Sequence, residues 1–97
     1  MANININISE VQKQARLLRE ASANLSKGTV KPLVDSKDRL ASAWTGESAK
    51  AFVKYTDELI GQLQSNAKDI LEIAAFLENA CSTIKKADQE AKSRIKS

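Results

Sequence analysis

Trp44-Thr45-Gly46 falls almost at the midpoint of a 97-residue chain and separates two long helical patterns. Trp44 is the only tryptophan. Gly46 supplies the left-handed conformation that commonly ends a helix. Glu47 then places a negative charge where a following helix would start. This reading predicts helix one over about 9–43, a turn at 44–46 and helix two over about 47–95. The fold class is all-α: a two-helix antiparallel hairpin forming a single domain over residues 1–97.

The second half carries the stronger pattern. From Leu59 the positions Leu63, Asn66, Ile70, Ile73, Leu77, Ala80, Ile84, Ala87 and Ala91 follow in steps of four and three, which is a heptad repeat. Leu59, Leu63, Ile70, Ile73, Leu77 and Ile84 are read as the core and dimer seam, with Asn66 as its polar member. Val53, Ile60, Ala67, Ala74 and Cys81 form a second row beside it. Three apolar positions per heptad suit a helix with neighbours on two sides. The first helix can cover one side, and dimerisation into a four-helix bundle would cover the other. Alanines 80, 87 and 91 thin the stripe, so the last turns are expected to pack weakly and fray.

The first half is less regular. Asn and Ile alternate over residues 3–8, a period-two pattern that suggests a short extended arm. Ser9 with Gln12 makes a capping-box pattern. Val11, Ala15, Leu18, Ser22 and Leu25 then define a narrow helical face. Glu10 with Lys13, and Arg16 with Glu20, are spaced to pair along the exposed side. Gly28 and Pro32 interrupt the pattern, and a bend is expected near 28–32 because Pro lacks an amide donor and crowds the preceding turn. The apolar pattern resumes in a different phase through Leu33, Val34, Leu40, Ala43 and Trp44.

Composition narrows the function. The chain has no His, which removes imidazole catalysis and His-ligated metals. It shows no Gly-rich phosphate loop, Cys-x-x-Cys pair or Ca²⁺ loop. The acidic neighbours Asp57 and Glu58 diverge on a helix. An enzyme is not expected, nor is a cofactor. The single Cys81 excludes an intramolecular disulfide and suits a small buried filler. A net charge of +3 is too mild for a nucleic-acid binder. The basic excess at Lys85, Lys86, Lys92, Arg94 and Lys96 suits a helix C-terminus. Mixed charges elsewhere on the polar face argue against a membrane-surface helix. Residues 1–11 lack the basic and apolar regions of a signal peptide.

The central Trp44-x-Gly46, the chain length and the two flanking helices together resemble the WXG family of small type VII secretion substrates, the early-secreted-antigenic-target-like proteins of Gram-positive bacteria and their relatives. Ile8-Ser9-Glu10, Phe52 after the turn, and the tail Ala87 to Ala91 with Ile95 are similar to the corresponding family segments. The resemblance implies a non-enzymatic protein made in the cytoplasm and exported by the type VII pathway, acting as a helical dimer. It implies that Trp44 and Gly46 form a turn and secretion-recognition motif. The family's C-terminal signal is a Tyr followed four residues later by an acid. Ile84 and Asp88 occupy those positions here, so the signal is degenerate. The partners implied are a second WXG-type chain, identical or not, and the type VII secretion ATPase. The alternative is an adaptor that binds the helical N-terminal domain of a larger exported toxin.

Overall fold

The computed structural model describes residues 7–96 and shows a helical hairpin. Helix α1 spans Ile8–Leu25, a π-helical turn covers Ser26–Val30, α2 spans Lys31–Ala43, and α3 spans Glu47–Lys96. The first three run on as one rod, which reverses at residues 44–46 and packs antiparallel against α3. Principal extents are 76 × 21 × 18 Å. The radius of gyration is 21.9 Å, against about 13 Å for a compact domain of this size. Every local contact must therefore come from two helices lying side by side.

Helix α1 starts two residues earlier than its capping pattern suggested. Asn7 is the N-cap, and its side-chain oxygen accepts from the Glu10 amide at 3.1 Å. Ser9 and Gln12 lie within the first turns and do not form the cap. Ile8 belongs to the helix, and the rest of the expected extended arm lies outside the described residues. Neither expected pair along the exposed side forms; Glu10 accepts instead from Gln14 Nε2 at 3.0 Å.

The expected bend is a π turn. The amide of Lys31 donates to the carbonyl of Ser26, five residues back. One extra residue enters the turn, and the inward positions step from Leu25 to the buried Val30. This restores apolar contact with α3 after the phase change. Pro32 follows directly, in the first turn of α2, where its missing donor does least harm. The helix is re-phased here and not broken.

The seam between the two halves differs from the one read in the sequence. Its most buried members on α3 are Ile60, Ala67, Ala74 and Cys81, from the row read as secondary, with Ala49 and Thr56 from the N-terminal continuation of the Leu63 row. Facing them are Ala15 and Ser22 of α1, and Val30. Ser22 Oγ donates to the carbonyl of Ala67 at 2.8 Å, so the two backbones approach within reach of one short side chain. The thiol of Cys81 points to the carbonyl of Ile8 at 4.0 Å. The larger residues Leu59, Leu63, Ile70, Leu77 and Ile84 are only half-buried on the flank, and Ile73 is 52% exposed. Asn66, expected to face inward, is exposed. The reason is steric. Ala15 and Ser22 let α1 come close only to a row that is equally small, and the bulky rows are displaced to the side.

The two edges of this seam are unlike. Arg19 donates from Nε and Nη2 to both carboxylate oxygens of Glu78, at 2.8 and 2.5 Å. Lys37 Nζ meets Asp57 at 2.7 Å. Asp57 and Glu78 lie three heptads apart, so both pairs close the same edge. The opposite edge of α3 carries Leu59, Asn66, Ile73 and Ala80, one heptad apart, with no ion pair among the described residues.

Two substitutions test the small-residue seam. Ala74→Leu should force the helices apart and lower stability by about 1–3 kcal/mol in chemical denaturation. Gly61→Ala, at an exposed helical site with open space around its α-carbon, should raise it by about 1 kcal/mol. Equal effects from both would mean that α1 does not lie against the alanine row.

Acid titration tests the paired edge. Hydrogen bonding to Arg19, with some help from its charge and against partial desolvation, holds the Glu78 carboxyl below its usual value. A depressed folded value contributes stability above the unfolded carboxylate range, which is lost as pH falls through the folded one. Glu78→Gln should therefore show a shallower loss of stability than the parent between about pH 5 and 3. Identical acid slopes would show that the pair contributes nothing.

Candidate functional site

The turn is built from three residues with distinct backbone states. The Trp44 amide donates to the Leu40 carbonyl and completes the last turn of α2, while its own backbone is extended at φ −134 and ψ 126. Gly46 has φ +109, the one positive φ among the described residues. That region is strained for any side chain. The Gly46 carbonyl accepts from the Lys50 amide at 3.1 Å. Gly46 thus opens α3, where the sequence suggested that it closes the preceding helix. Two non-helical residues, Trp44 and Thr45, separate α2 from Gly46.

Trp44 is not enclosed in a core. It is 42% exposed, and its ring tilts against Phe52 at 46° with centroids 5.8 Å apart. The indole forms one wall of an open groove of about 550 Å³. Ala41, Ala49 and Val53 supply the apolar floor, and Lys50 and Lys54 stand at the rim. Of these, Val53 was read from the sequence only as a member of the second apolar row, and Ala41, Ala49, Lys50 and Lys54 were not singled out. Their spacing was a usable signal, because 46, 49, 50 and 53 fall on one helical face.

Ile84 and Asp88 sit near the other end of α3. Ile84 is half-buried and Asp88 exposed, four residues apart on one face. At the helical rise, about 60 Å separates them from the turn. One copy therefore cannot bring Trp44 and Asp88 into a single surface. Beyond Cys81, α3 extends past the start of α1 as an overhang ending in Ile95, which is 84% exposed.

Between these ends runs the second surface of interest. Ile73 and Phe76, 52% and 71% exposed, stand beside the half-buried Leu77, Ala80 and Ile84. Phe76, Ala80 and Ile84, with Asn79 and Thr83, line a shallow depression. No three His, Cys, Asp or Glu side chains gather to hold a metal among the described residues. No described helix is long and apolar enough to cross a membrane.

Comparison with protein families gives a match to the WXG100 model, described as proteins of 100 residues with WXG, over residues 3–89. Comparison with curated proteins and with solved structures gives no match.

Two substitutions separate the roles of the turn residues. Trp44→Ala should cost about 1 kcal/mol, the scale of one exposed aromatic pair, and well short of the ~3 kcal/mol expected of a buried ring. Gly46→Ala should cost about 1–3 kcal/mol through backbone strain alone, since nothing lies within 4 Å of an added methyl group. A neutral Gly46→Ala would mean that the turn does not need its positive φ.

Proposed function

Because this chain belongs to the WXG100 family, which is associated with type VII secretion, we propose that it is a non-enzymatic substrate of a type VII secretion system and acts as a helical dimer. Dimers are typical of the family. The observation that carries the reading is the apolar edge of α3. The chain exposes 7607 Å², whereas a compact protein of this mass exposes about 5,500 Å². The excess is about 2,000 Å² per chain, more than the roughly 800 Å² that each partner buries in a standard interface. The rod shape accounts for part of it. Yet the exposed area includes Ile73 and Phe76, three residues apart on α3, and exposed apolar side chains close together support an association surface here.

In this reading the hairpin is a rod that presents addresses. Trp44 and Gly46 form one address at the turn. Ile84 and Asp88 form the other near the tail. Their separation within one copy means that a shared surface for the secretion ATPase requires a second chain. A second reading is the adaptor for a larger toxin's helical domain. It is favoured by Ile84 standing where the family's signal has an aromatic ring.

Light scattering and export together test the proposal. The parent should have twice the chain mass at micromolar concentration. Ile73→Ser with Phe76→Ser should give a helical monomer and at least about a tenfold loss of export into culture medium, since exposing two apolar anchors to water is worth several kcal/mol of association. A monomeric parent that becomes a stable complex only with a toxin's helical domain would transfer support to the adaptor. Unchanged export from cells lacking the secretion ATPase would overturn both.

A further inference from the structure

The face of α3 that packs against α1 continues past the point where α1 begins. The thiol of Cys81 lies 4.0 Å from the carbonyl of Ile8, so α1 starts level with Cys81, while α3 runs on to Lys96. One and two heptads beyond Cys81 the same row carries Asp88 and Ile95. Ile84 and Ala91 flank that row on one side, and Lys85 and Lys92 on the other. Ala91 is exposed, and Ile95 is 84% exposed. The stretch from Cys81 to Ile95 is about 21 Å long at the helical rise. Residues 1–6 leave the start of α1 at its near end. Asn7 caps α1 with extended backbone, φ −85 and ψ 92, so the chain enters the helix from an extended segment. In extended form Ile4 and Ile6 share one face, with Asn3 and Asn5 on the other. Seven extended steps back from Ile8 span about 23 Å, the length of the bare stretch. Seven helical steps would span only about 10 Å.

We infer that residues 1–6 lie as an extended strap along the overhang of their own chain and cover the Ile84 side of the tail address. In this register Ile6 fits between Ile84, Lys85 and Asp88, and Ile4 between Ala91, Lys92 and Ile95. The aliphatic stems of Lys85 and Lys92 close one side while their charged ends stay in water. Asp88, the polar member of the row, falls level with Asn5. Its carboxylate can accept from the backbone amides that a lone extended strand leaves unpaired. Attachment to α1 at the near end of the stretch gives the strap a high effective concentration there, which favours it over the same segment of another chain. Burial of the isoleucines is largely offset by the entropy of ordering six residues. The strap is therefore held weakly and can be displaced. A receptor that reads Ile84 and Asp88 has to compete with it. That masking rests on the export reading proposed above; the strap itself does not.

Cross-linking tests the strap. In a Cys81→Ala background, checked for helicity by circular dichroism, the double variants Ile4→Cys with Ala91→Cys and Asn3→Cys with Ala91→Cys are oxidised with copper phenanthroline. The first should close a disulfide within one chain on the order of tenfold faster than the second, because the bond needs α-carbons within about 7 Å and side chains that face each other. Equal rates, or no bond in either, would overturn the strap. A product of twice the chain mass would place the segment on another molecule and overturn it as well. A second measurement uses Ile4→Asn with Ile6→Asn. In that variant the backbone amides of residues 85–95 should exchange with solvent about tenfold faster than in the parent, with residues 60–80 unchanged, because an overhang that loses its cover opens locally. Unchanged exchange would also overturn the strap. The same variant should be exported at least about twofold faster, since receptor affinity scales with the fraction of tails left uncovered. Unchanged or slower export would remove the masking role and leave the cross-linked strap standing. A parent that is not exported at all would overturn the export reading alone.

Discussion

The close approach of two backbones along a row of alanine, serine and cysteine governs this molecule. Ser22 reaches the carbonyl of Ala67 at 2.8 Å, a distance available only when neither helix carries bulk at the crossing. Ala15, Ala74 and Cys81 are as completely enclosed as any described residues. Such a seam packs densely but buries little apolar area per residue. The hairpin therefore keeps its larger side chains for the flank. Large residues at the sides and small ones at the centre are the reverse of a self-sufficient two-helix core. That inversion leaves an apolar edge on the rod.

The other edge shows how the asymmetry is maintained. Arg19 with Glu78, and Lys37 with Asp57, close it with charge. Exposed pairs of this kind add little stability. They make one side of the rod hydrophilic, while the side with Leu59, Ile73 and Ala80 stays apolar. The π turn serves the same geometry. By inserting one residue between Leu25 and Val30 it keeps α2 over α3, so the seam extends to the turn and α3 keeps one continuous free edge.

Shape then limits mechanism. A rod 76 Å long separates the turn from the tail by most of its length. Any surface combining Trp44 with Asp88 must be composed from two chains. The half-exposed indole fits that role better than a core role: its face already rests on Phe52, and its edge borders an open groove. In the proposed role, Trp44 is held in place by Phe52 without being enclosed.

Periodicity and composition were enough to establish the hairpin. Steps of four and three after residue 59, the lack of proline beyond Pro32, and Gly46 beside the lone Trp44 leave few other arrangements for the chain. The Gly28–Pro32 irregularity was also legible as a change of phase, though not as a π turn, because periodicity records that a residue was added and not which hydrogen bonds absorb it. The tertiary structure decided which apolar row faces α1. Three adjacent rows on α3 satisfy the same spacing, and transfer energy alone favours the one with Leu63, Ile70 and Leu77. The choice depends on the partner surface: Ala15 and Ser22 admit only the alanine row. It also decided that Trp44 is exposed and Asn66 faces outward, since both depend on how closely two helices pack. That distance is a property of the pair and is not written in either segment alone.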